Sequence, residues 1–426
     1  MNRVLCETSR DLPIVSVVVS FKTGSVFDPV GREGLARTTA RMLRRGAGAL
    51  DAEAIDDRVD SLGADIGADA SPNATTLSFE VIRRNLDPVV DLTADILARP
   101  RFEADELAKY LREAQAEIVE SRDSDRTLAS RAFRRTLFAG HPYGRRVAGS
   151  LDALAATTSE EVARFHGAHL TKANALVAVS GDATEEEAQS IAERLIAGLP
   201  DGSSTVDPTP EPAGVTGRHL VFVEKADRTQ TQLVIGALGS YAHDADHVAL
   251  LVANHVFGGS FTSRLMQEVR AKRGWSYGAS SRAGFDRRRE AFTMWAAPAA
   301  TDAAACLALE LELLETWVKT GITEDELVAT QNNIRRSHAF EVDTARKRVH
   351  QKLEEALFEL PDGYHARWLD SVAAVTVASA NEAVQRRIRP ENLVVGMVAT
   401  WDDVGKSVQD AIANLATTKV DPFDLE

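Results

Sequence analysis

The chain has 426 residues, which is too long for one ordinary hydrophobic core, so two or more domains are expected. Its composition, 44% hydrophobic and 26% charged, is that of a globular protein, and its formal net charge of −14 argues against nucleic acid or an anionic membrane as the main partner. No run of 18 apolar residues occurs, which argues against a membrane-spanning helix.

The two cysteines, Cys6 and Cys306, lie one in each half of the chain and do not indicate a disulfide framework. A strand pattern begins at Leu12, so early that no signal peptide is expected before it. We therefore expect a cytoplasmic location, or a periplasmic one if a leader has been removed.

Strands and helices alternate through the first half. Hydrophobic periodicity and turn residues predict strands at 15–21, 64–70, 75–82 and 175–180, with the second and third of these paired. Helices are predicted at 34–43, 51–62, 85–97, 103–122, 127–138, 159–166 and 185–199. Ser159 is expected as the N-cap of the sixth helix.

Residues 201–217 are rich in Pro, Gly, Ser and Thr and are predicted to be a linker between an N-terminal domain, 1–200, and a C-terminal domain, 218–426. The second half repeats the first. Residues 151–158 recur as 369–376, and matches at similar offsets fall at equivalent element boundaries, which predicts two domains of one fold.

One stretch of the second half carries candidate functional residues. The pair Gly258-Gly259 is predicted to end an apolar helix, and a short amphipathic helix follows, which Gly274 ends before Tyr277 opens a strand. Arg270 and Tyr277 would then donate hydrogen bonds into one shared space. The alternative is structural: a surface charge and a half-buried strand aromatic. In the repeat, Ile66 takes the place of Tyr277, so the polar pair belongs to one half only.

These motifs resemble those of the pitrilysin and insulin-degrading-enzyme family, in the two-domain branch that includes mitochondrial processing peptidase subunits. The resemblance rests on the repeat and linker, the Gly-His-Pro-Tyr-Gly loop at 140–144, the segment 229–232, and the Ser-Arg-Leu-x-Gln-Glu-Val-Arg stretch that ends at Arg270 and is followed by Tyr277. The resemblance implies an α+β fold of two homologous domains, each a mostly antiparallel sheet with helices packed on one face. It also implies that Arg270 and Tyr277 hold the backbone of a peptide substrate near a metal ion.

The first half departs from the family pattern. Active members carry His-x-x-Glu-His on the first helix, where two histidines bind zinc and the glutamate is the base, and a distant glutamate is the third ligand. Here Arg37 and Arg41 stand at the histidine positions, Ala40 at the glutamate position, and Glu117 within about one residue of the third ligand. Arginine is cationic and has no lone pair to offer a metal. No metal is therefore expected in this chain, and Glu117 is expected to pair with the arginines or to be solvated.

Other candidate sites in the sequence are weaker. His243 and His247 have a zinc-like spacing with acidic residues between them, but no third ligand is evident, so a polar helix start is the preferred interpretation. His166 and His169 are expected to pack at a helix end. Neither a nucleophile elbow nor a phosphate-binding glycine motif is present.

The resemblance thus implies a metal-free subunit of a heterodimeric zinc metallopeptidase, inactive alone. A homologous partner subunit would bring Zn²⁺, and the two chains would close like a clamshell on a peptide substrate. Two alternatives stay open: a catalytically inert scaffold, and a homodimer that binds peptides without cutting them. A peptide could also add as a strand to a sheet edge, either at the strand leading into 229–232 or at the strand after Tyr277.

Overall fold

The computed structural model describes residues 4–412 and 414–425. Eleven strands are present in this part of the chain: β1 (Val4–Thr8), β2 (Ile14–Phe21), β3 (Asp65–Ala70), β4 (Thr75–Ile82), β5 (Ala175–Gly181), β6 (Arg218–Glu224), β7 (Gln232–Leu238), β8 (Ala279–Ala283), β9 (Ala291–Ala296), β10 (Leu393–Ala399) and β11 (Leu415–Val420).

The same residues form fifteen α-helices: α1 (Leu35–Met42), α2 (Ala52–Ser61), α3 (Leu86–Ala98), α4 (Ala104–Glu120), α5 (Asp125–Leu137), α6 (Leu151–Ala155), α7 (Ser159–His169), α8 (Glu185–Ile196), α9 (His247–Asn254), α10 (Ala303–Thr320), α11 (Glu324–Ser337), α12 (Ala345–Phe358), α13 (Trp368–Ala373), α14 (Val377–Arg387) and α15 (Trp401–Ala411). None of them is long and apolar enough to cross a bilayer.

Two sheets of matching topology organise these elements. The first has the strand order β1-β5-β2-β4-β3, and the second has the order β11-β6-β10-β7-β9-β8. Apart from the additional β11, each strand of one sheet has a counterpart in the same place in the other. Most pairings are antiparallel, and the parallel ones are β1 with β5 and β6 with β10 and β11. The predicted α+β fold with two homologous domains is confirmed.

The compact units do not follow the two halves of the sequence. Unit 1 contains the described residues through Val119, Arg145–Thr209 and Ala339–His365, and unit 2 contains the rest. Helix α5 of the first half therefore belongs with the second sheet, and helix α12 of the second half belongs with the first sheet. The domains proposed from the sequence, 1–200 and 218–426, differ from these units by one exchanged segment each.

The sequence of β2 explains why the first sheet is covered by α12 on its second face. Val15, Val17 and Val19 point into the main core of unit 1, under the helices on that face. Val18 points to the opposite face, where it packs with neighbouring β5 residues against Val349 of α12. A strand that is buried on both faces reads as a continuous apolar run, as here. Each sheet thus carries one helix on its second face in addition to the helices on the first.

Helix α5 covers the second face of the sheet in unit 2, where it packs on β6, β7 and β10. The approach is close at Gly396 of β10. A Cβ atom there would lie 2.4 Å from the carbonyl oxygen of Ala129 on α5, so only glycine allows this contact.

Helix caps repeat between the two halves. Thr158 caps α7 in a reciprocal capping box with Glu161, and Thr376 caps the equivalent α14 in the same way with Ser379. The expectation that Ser159 is the cap was wrong by one residue, because the threonine before it already supplies the side-chain oxygen at the helix start.

Glu310 is an unusual residue of the core of unit 2. It lies on α10, is 0% exposed, and neither of its carboxylate oxygens has a hydrogen-bond partner among the described residues. Burial raises the pKa of Glu310 to about 8, because the charged form loses its hydration without a compensating contact. The folded chain therefore holds a proton on Glu310 where the unfolded chain, with an ordinary pKa of 4.5, does not.

We predict that Glu310→Met stabilises unit 2 by about 1–3 kcal/mol near neutral pH, since it removes a buried polar group without a partner. Below both pKa values the proton is bound in both states, and as pH rises from about 4.5 to about 8 the wild-type chain loses stability relative to the variant. Urea unfolding followed by tryptophan fluorescence measures this for unit 2, because all five tryptophans lie in it.

The matched control is Glu312→Met on the exposed side of the same helix, which should change stability by less than about 0.5 kcal/mol. An equal pH dependence in wild type and Glu310→Met would contradict the assignment of this proton to Glu310.

Candidate functional site

The stretch around Arg270 folds into two π-helical turns, His255–Gly259 and Met266–Ala271, rather than the regular helix that was predicted. Such turns are rare and occur often at functional sites. Gly274 ends the second turn with a positive φ of 67°, as predicted. Strand β8 begins only at Ala279, so Tyr277 precedes the strand and the expectation that it opens the strand was wrong.

Arg270 and Tyr277, which were predicted to donate into one shared space, lie in contact with each other. The guanidinium carbon of Arg270 lies 4.6 Å from the centroid of the Tyr277 ring and 5.1 Å from that of Phe261. The two rings are 87% and 72% exposed, so Tyr277 is not the half-buried strand aromatic of the structural alternative. Attraction between the cation and the rings positions Arg270 without using its N–H groups.

The hydrogen-bond donors of this pair are available. Within the described part of the chain, neither the Arg270 guanidinium nor the Tyr277 hydroxyl makes a hydrogen bond or an ion pair. The neighbouring Arg273, in contrast, is bound to the carboxylate of Glu268 at 2.8 Å. The stretch therefore presents one guanidinium and one phenol to solvent with their donors unused.

The edge of the second sheet lies beside this pair. The N–H of Gly284 donates to Ala291 O at 3.0 Å, which sets the alternation of hydrogen bonds between β8 and β9. By this alternation, the N–H and C=O groups of Ala279 and Ser281 point to the free edge of β8. β6, in contrast, is interior, between β11 and β10. The strand leading into 229–232 therefore has no free edge for a peptide.

The free edge of β8 is covered by the chain itself. Asn254 Nδ2 donates to Ser281 O at 3.4 Å, and the N–H of Ala279 lies 3.5 Å from Met266 Sδ. A Cβ atom on Gly258 would lie only 2.5 Å from Ser281 N, so the glycine backbone rests directly on the strand. Neither of the two strands considered from the sequence offers an open edge to a peptide.

The residues at the zinc-motif positions form a salt-bridge network in unit 1. Arg37 donates to both carboxylate oxygens of Glu117, at 3.0 and 3.2 Å, and its Nε donates to Asp69 at 3.3 Å. Arg41 Nη2 donates to the other oxygen of Asp69 at 2.5 Å. Burial is the largest influence on Arg37 and lowers its pKa, but the hydrogen bond to Glu117 and the nearby charges of Tyr110, Asp69 and Glu117 together outweigh it, so the net shift of the pKa is upward. The expected pairing of Glu117 with an arginine is thus present, and it joins α1, α4 and β3.

These residues do not fit a zinc ion. The two guanidinium groups have no lone pair and would repel the cation, and they occupy the carboxylates that might otherwise bind it. Ala40 is fully buried in the hydrophobic core, and offers no base. In residues 4–412 and 414–425, no group of three or more His, Cys, Asp or Glu is placed to hold a metal ion.

A cavity of about 460 Å³ opens beside this network. Its wall combines arginines from α1 and the turn after it, carboxylates from α2 and α4, one tyrosine ring, and the small residues of β3. The lining residues are Arg37, Arg41, Arg44, Arg45, Ala52, Asp56, Gly67, Ala68, Tyr110, Glu113, Ala114 and Glu117.

The other histidine candidates are structural. His247 is 1% exposed and its Nδ1 is bound to Ser240 Oγ at 2.7 Å, and burial lowers its pKa to about 4. Asp244 and Asp246, the acids of that segment, are paired with arginines. The zinc-like spacing from His243 to His247 therefore does not produce a metal site.

His166 and His169 pack at the end of α7, as expected. His166 Nε2 lies 2.8 Å from Leu97 O, and the ring of His169 lies 4.3 Å from that of Phe165.

Sequence reasoning missed two residues of these sites. Asp69 bridges Arg37 and Arg41, and its position on the same strand face as Asp65 and Gly67 was the available signal. Phe261 contacts Arg270, and an apolar aromatic in a polar stretch directly after a glycine pair was a signal that its side chain is displayed rather than buried.

We predict that the double variant Arg37→His, Arg41→His binds about one Zn²⁺ per chain, because the two imidazoles share a helix face opposite the Glu117 carboxylate. The wild-type chain should bind none. Isothermal titration calorimetry with ZnCl₂ measures both. The control adds Glu117→Ala to the double variant and should weaken binding. Stoichiometric zinc on the wild-type chain would contradict the assignment of these positions.

Comparisons with known proteins agree with this description. A family model described as "Insulinase (Peptidase family M16)" matches residues 3–150, and one described as "Peptidase M16 inactive domain" matches residues 156–334. A Rickettsia bellii protein described as an uncharacterized zinc protease is 27% identical over 342 residues, 80% of this chain and 81% of the relative.

Two further relatives cover almost the whole chain. A Helicobacter pylori protein described as a non-peptidase homolog is 19% identical, over 93% of this chain and 91% of its own length. The crystal structure of a peptidase M16 inactive domain from Pseudomonas fluorescens has a TM-score of 0.87 and 26% identity, over 93% of this chain and 95% of that one. The chain belongs to the insulinase, or M16, family of peptidases, as an inactive member whose zinc-binding positions are replaced.

Proposed function

We propose that this chain is the substrate-holding subunit of a heterodimeric zinc metallopeptidase. The observation that carries the proposal is that the exposed Tyr277 and the half-buried Arg270 are in contact and hydrogen-bonded to no described residue. The zinc positions, in contrast, are filled by Arg37 and Arg41. A homologous chain that carries the zinc motif would be the partner, and the two would close around a peptide in a clamshell chamber.

In this proposal a zinc ion held by the partner would activate the nucleophilic water, and this chain supplies binding groups. The Tyr277 hydroxyl donates a hydrogen bond to the oxygen of the scissile carbonyl as negative charge develops there. A donor that is already in place strengthens with that charge and costs no reorganisation. Arg270 donates to a neighbouring carbonyl of the peptide and fixes its register. Phe261 is a positioning residue, since its ring contacts the Arg270 guanidinium and leaves the N–H groups free.

The unused donors of Arg270 and Tyr277 support this function over the inert scaffold. In an inert scaffold nothing would keep a guanidinium and a phenol displayed without partners. A homodimer that binds peptides without cleavage would use the same donors, so it differs from the proposal in the partner chain and in the absence of hydrolysis. The experiment below separates the proposal from the scaffold.

We predict that Tyr277→Phe lowers kcat/KM of the reconstituted heterodimer by roughly 10²–10³, since one preorganised donor to the developing charge is lost. The measurement mixes this chain with a homologous chain that carries His-x-x-Glu-His and follows cleavage of a fluorogenic peptide. Light scattering reports complex formation, which should be unchanged because the ring remains.

Tyr241→Phe is the matched control, because Tyr241 also lies under a guanidinium, that of Arg289 at 5.3 Å, outside the proposed site. It should leave the rate unchanged. Full activity of the Tyr277→Phe heterodimer would favour the scaffold, and peptide hydrolysis by this chain alone would overturn the proposal.

A further inference from the structure

Arginines line one wall of the cavity in unit 1. Arg37, Arg41 and Arg44 follow one another at helical spacing along α1 and the turn after it, and Arg45 lies beside them. Guanidinium groups present several N–H donors in a planar fork that matches a carboxylate. Whether these arginines can bind a ligand depends on how many of their donors the chain itself uses.

Much of this donor capacity is unused. Arg41 engages one of its three guanidinium nitrogens, Nη2, and shares its acceptor Asp69 with Arg37. Arg44 binds Asp56 through Nη2 and the carbonyl of Ile66 through Nη1, and its Nε is buried without a partner among the described residues. The unused N–H groups of Arg41, whose side chain is 42% exposed, can donate to a new anionic partner without breaking a bond within the chain, whereas the buried Arg44 Nε does not reach the cavity.

The cavity also offers main-chain groups. The N–H of Ser71 donates to Ala74 O at 2.8 Å, and this bond sets the alternation between β3 and β4. By that alternation, the N–H and C=O of Ala68 point to the free edge of β3, which is the outer strand of its sheet. No described residue makes a hydrogen bond to them there. Gly67 and Ala68, which are small, leave this edge accessible from the cavity.

We propose that this cavity binds an acidic side chain of an extended peptide, with Arg41 as the principal ligand of the carboxylate. The fork of Arg41 receives the carboxylate, and the Ala68 main-chain groups bind the backbone of the peptide. The positions at which family members hold a cation would thus hold an anion in this chain. The binding belongs to unit 1 alone and does not require Arg270, Tyr277 or a partner subunit.

The carboxylates in the cavity wall limit how strongly the cavity can attract an anion. Asp56, Glu113 and Glu117 in the wall offset part of the positive charge, so a small free anion gains little from charge alone. A peptide adds the main-chain hydrogen bonds to β3 and places its carboxylate at a fixed distance from them. We therefore expect selectivity for an acidic peptide rather than for inorganic anions.

Three fluorescent decapeptides of serine, threonine and valine test the proposal on the chain alone, by fluorescence anisotropy. One carries a central glutamate and an amidated C-terminus, the second carries glutamine instead, and the third carries glutamine and a free C-terminal carboxylate. The glutamate peptide should bind roughly 10- to 100-fold more tightly than the other two, the value of one charge-assisted hydrogen-bonded contact. The preference should shrink as salt is raised.

Variants with opposite expected effects separate binding from a general loss of structure. Arg41→Gln should abolish the preference for glutamate, whereas Glu117→Gln should increase it, because Arg37 then loses a competing carboxylate. The control is Arg194→Gln, whose side chain is paired with Asp87 and Asp91 away from the cavity, and it should change nothing.

Several outcomes would overturn the proposal. These are equal affinity for the glutamate and glutamine peptides, no binding of any of them, and retention of the preference in Arg41→Gln. Tighter binding of the free-terminus peptide would assign the cavity to a chain end instead and would also refute the side-chain assignment. Because no cleavage is measured, none of these results bears on the heterodimer proposed above.

Discussion

A guanidinium cannot be a metal ligand, and this single constraint determines what unit 1 can do. With Arg37 and Arg41 at the zinc positions, helices α1 and α4 and strand β3 are joined by salt bridges to Asp69 and Glu117 instead of by a shared ion. Exposed ion pairs contribute little each, but the two-pronged contact of Arg37 with Glu117 fixes geometry as well as charge. The family fold is therefore retained at this place although its chemistry is not.

In unit 2, by contrast, a guanidinium keeps its donors free. Arg270 is held by ring contacts, which orient a guanidinium without occupying its donors, and the π-helical turn that carries it packs beside a covered sheet edge. Holding a group by its faces leaves its edges free for a ligand. This arrangement agrees with the proposed role beside a partner chain that supplies the nucleophile.

Much of the fold could be predicted because the signals are local. The apolar run of β2, the turn residues and the recurring threonine caps each act within a few residues, and the internal repeat showed that the fold is duplicated. The contacts that were missed join distant parts of the chain. Asp69 meets Arg37 and Arg41 only after β3 has packed on α1, and no nearby pattern reveals the covering of β8 by the segment before Arg270. The sequences of α5 and α12 likewise do not indicate, taken singly, that each helix packs on the sheet of the other half.

That exchange has a consequence for fragments of the chain. A fragment that contained the first sheet but ended before α12 would lack Val349 and Leu353, which cover Val18, Leu176 and Ala178 on the second face of that sheet. Cutting the chain at 201–217 would therefore expose an apolar sheet face rather than release a complete domain.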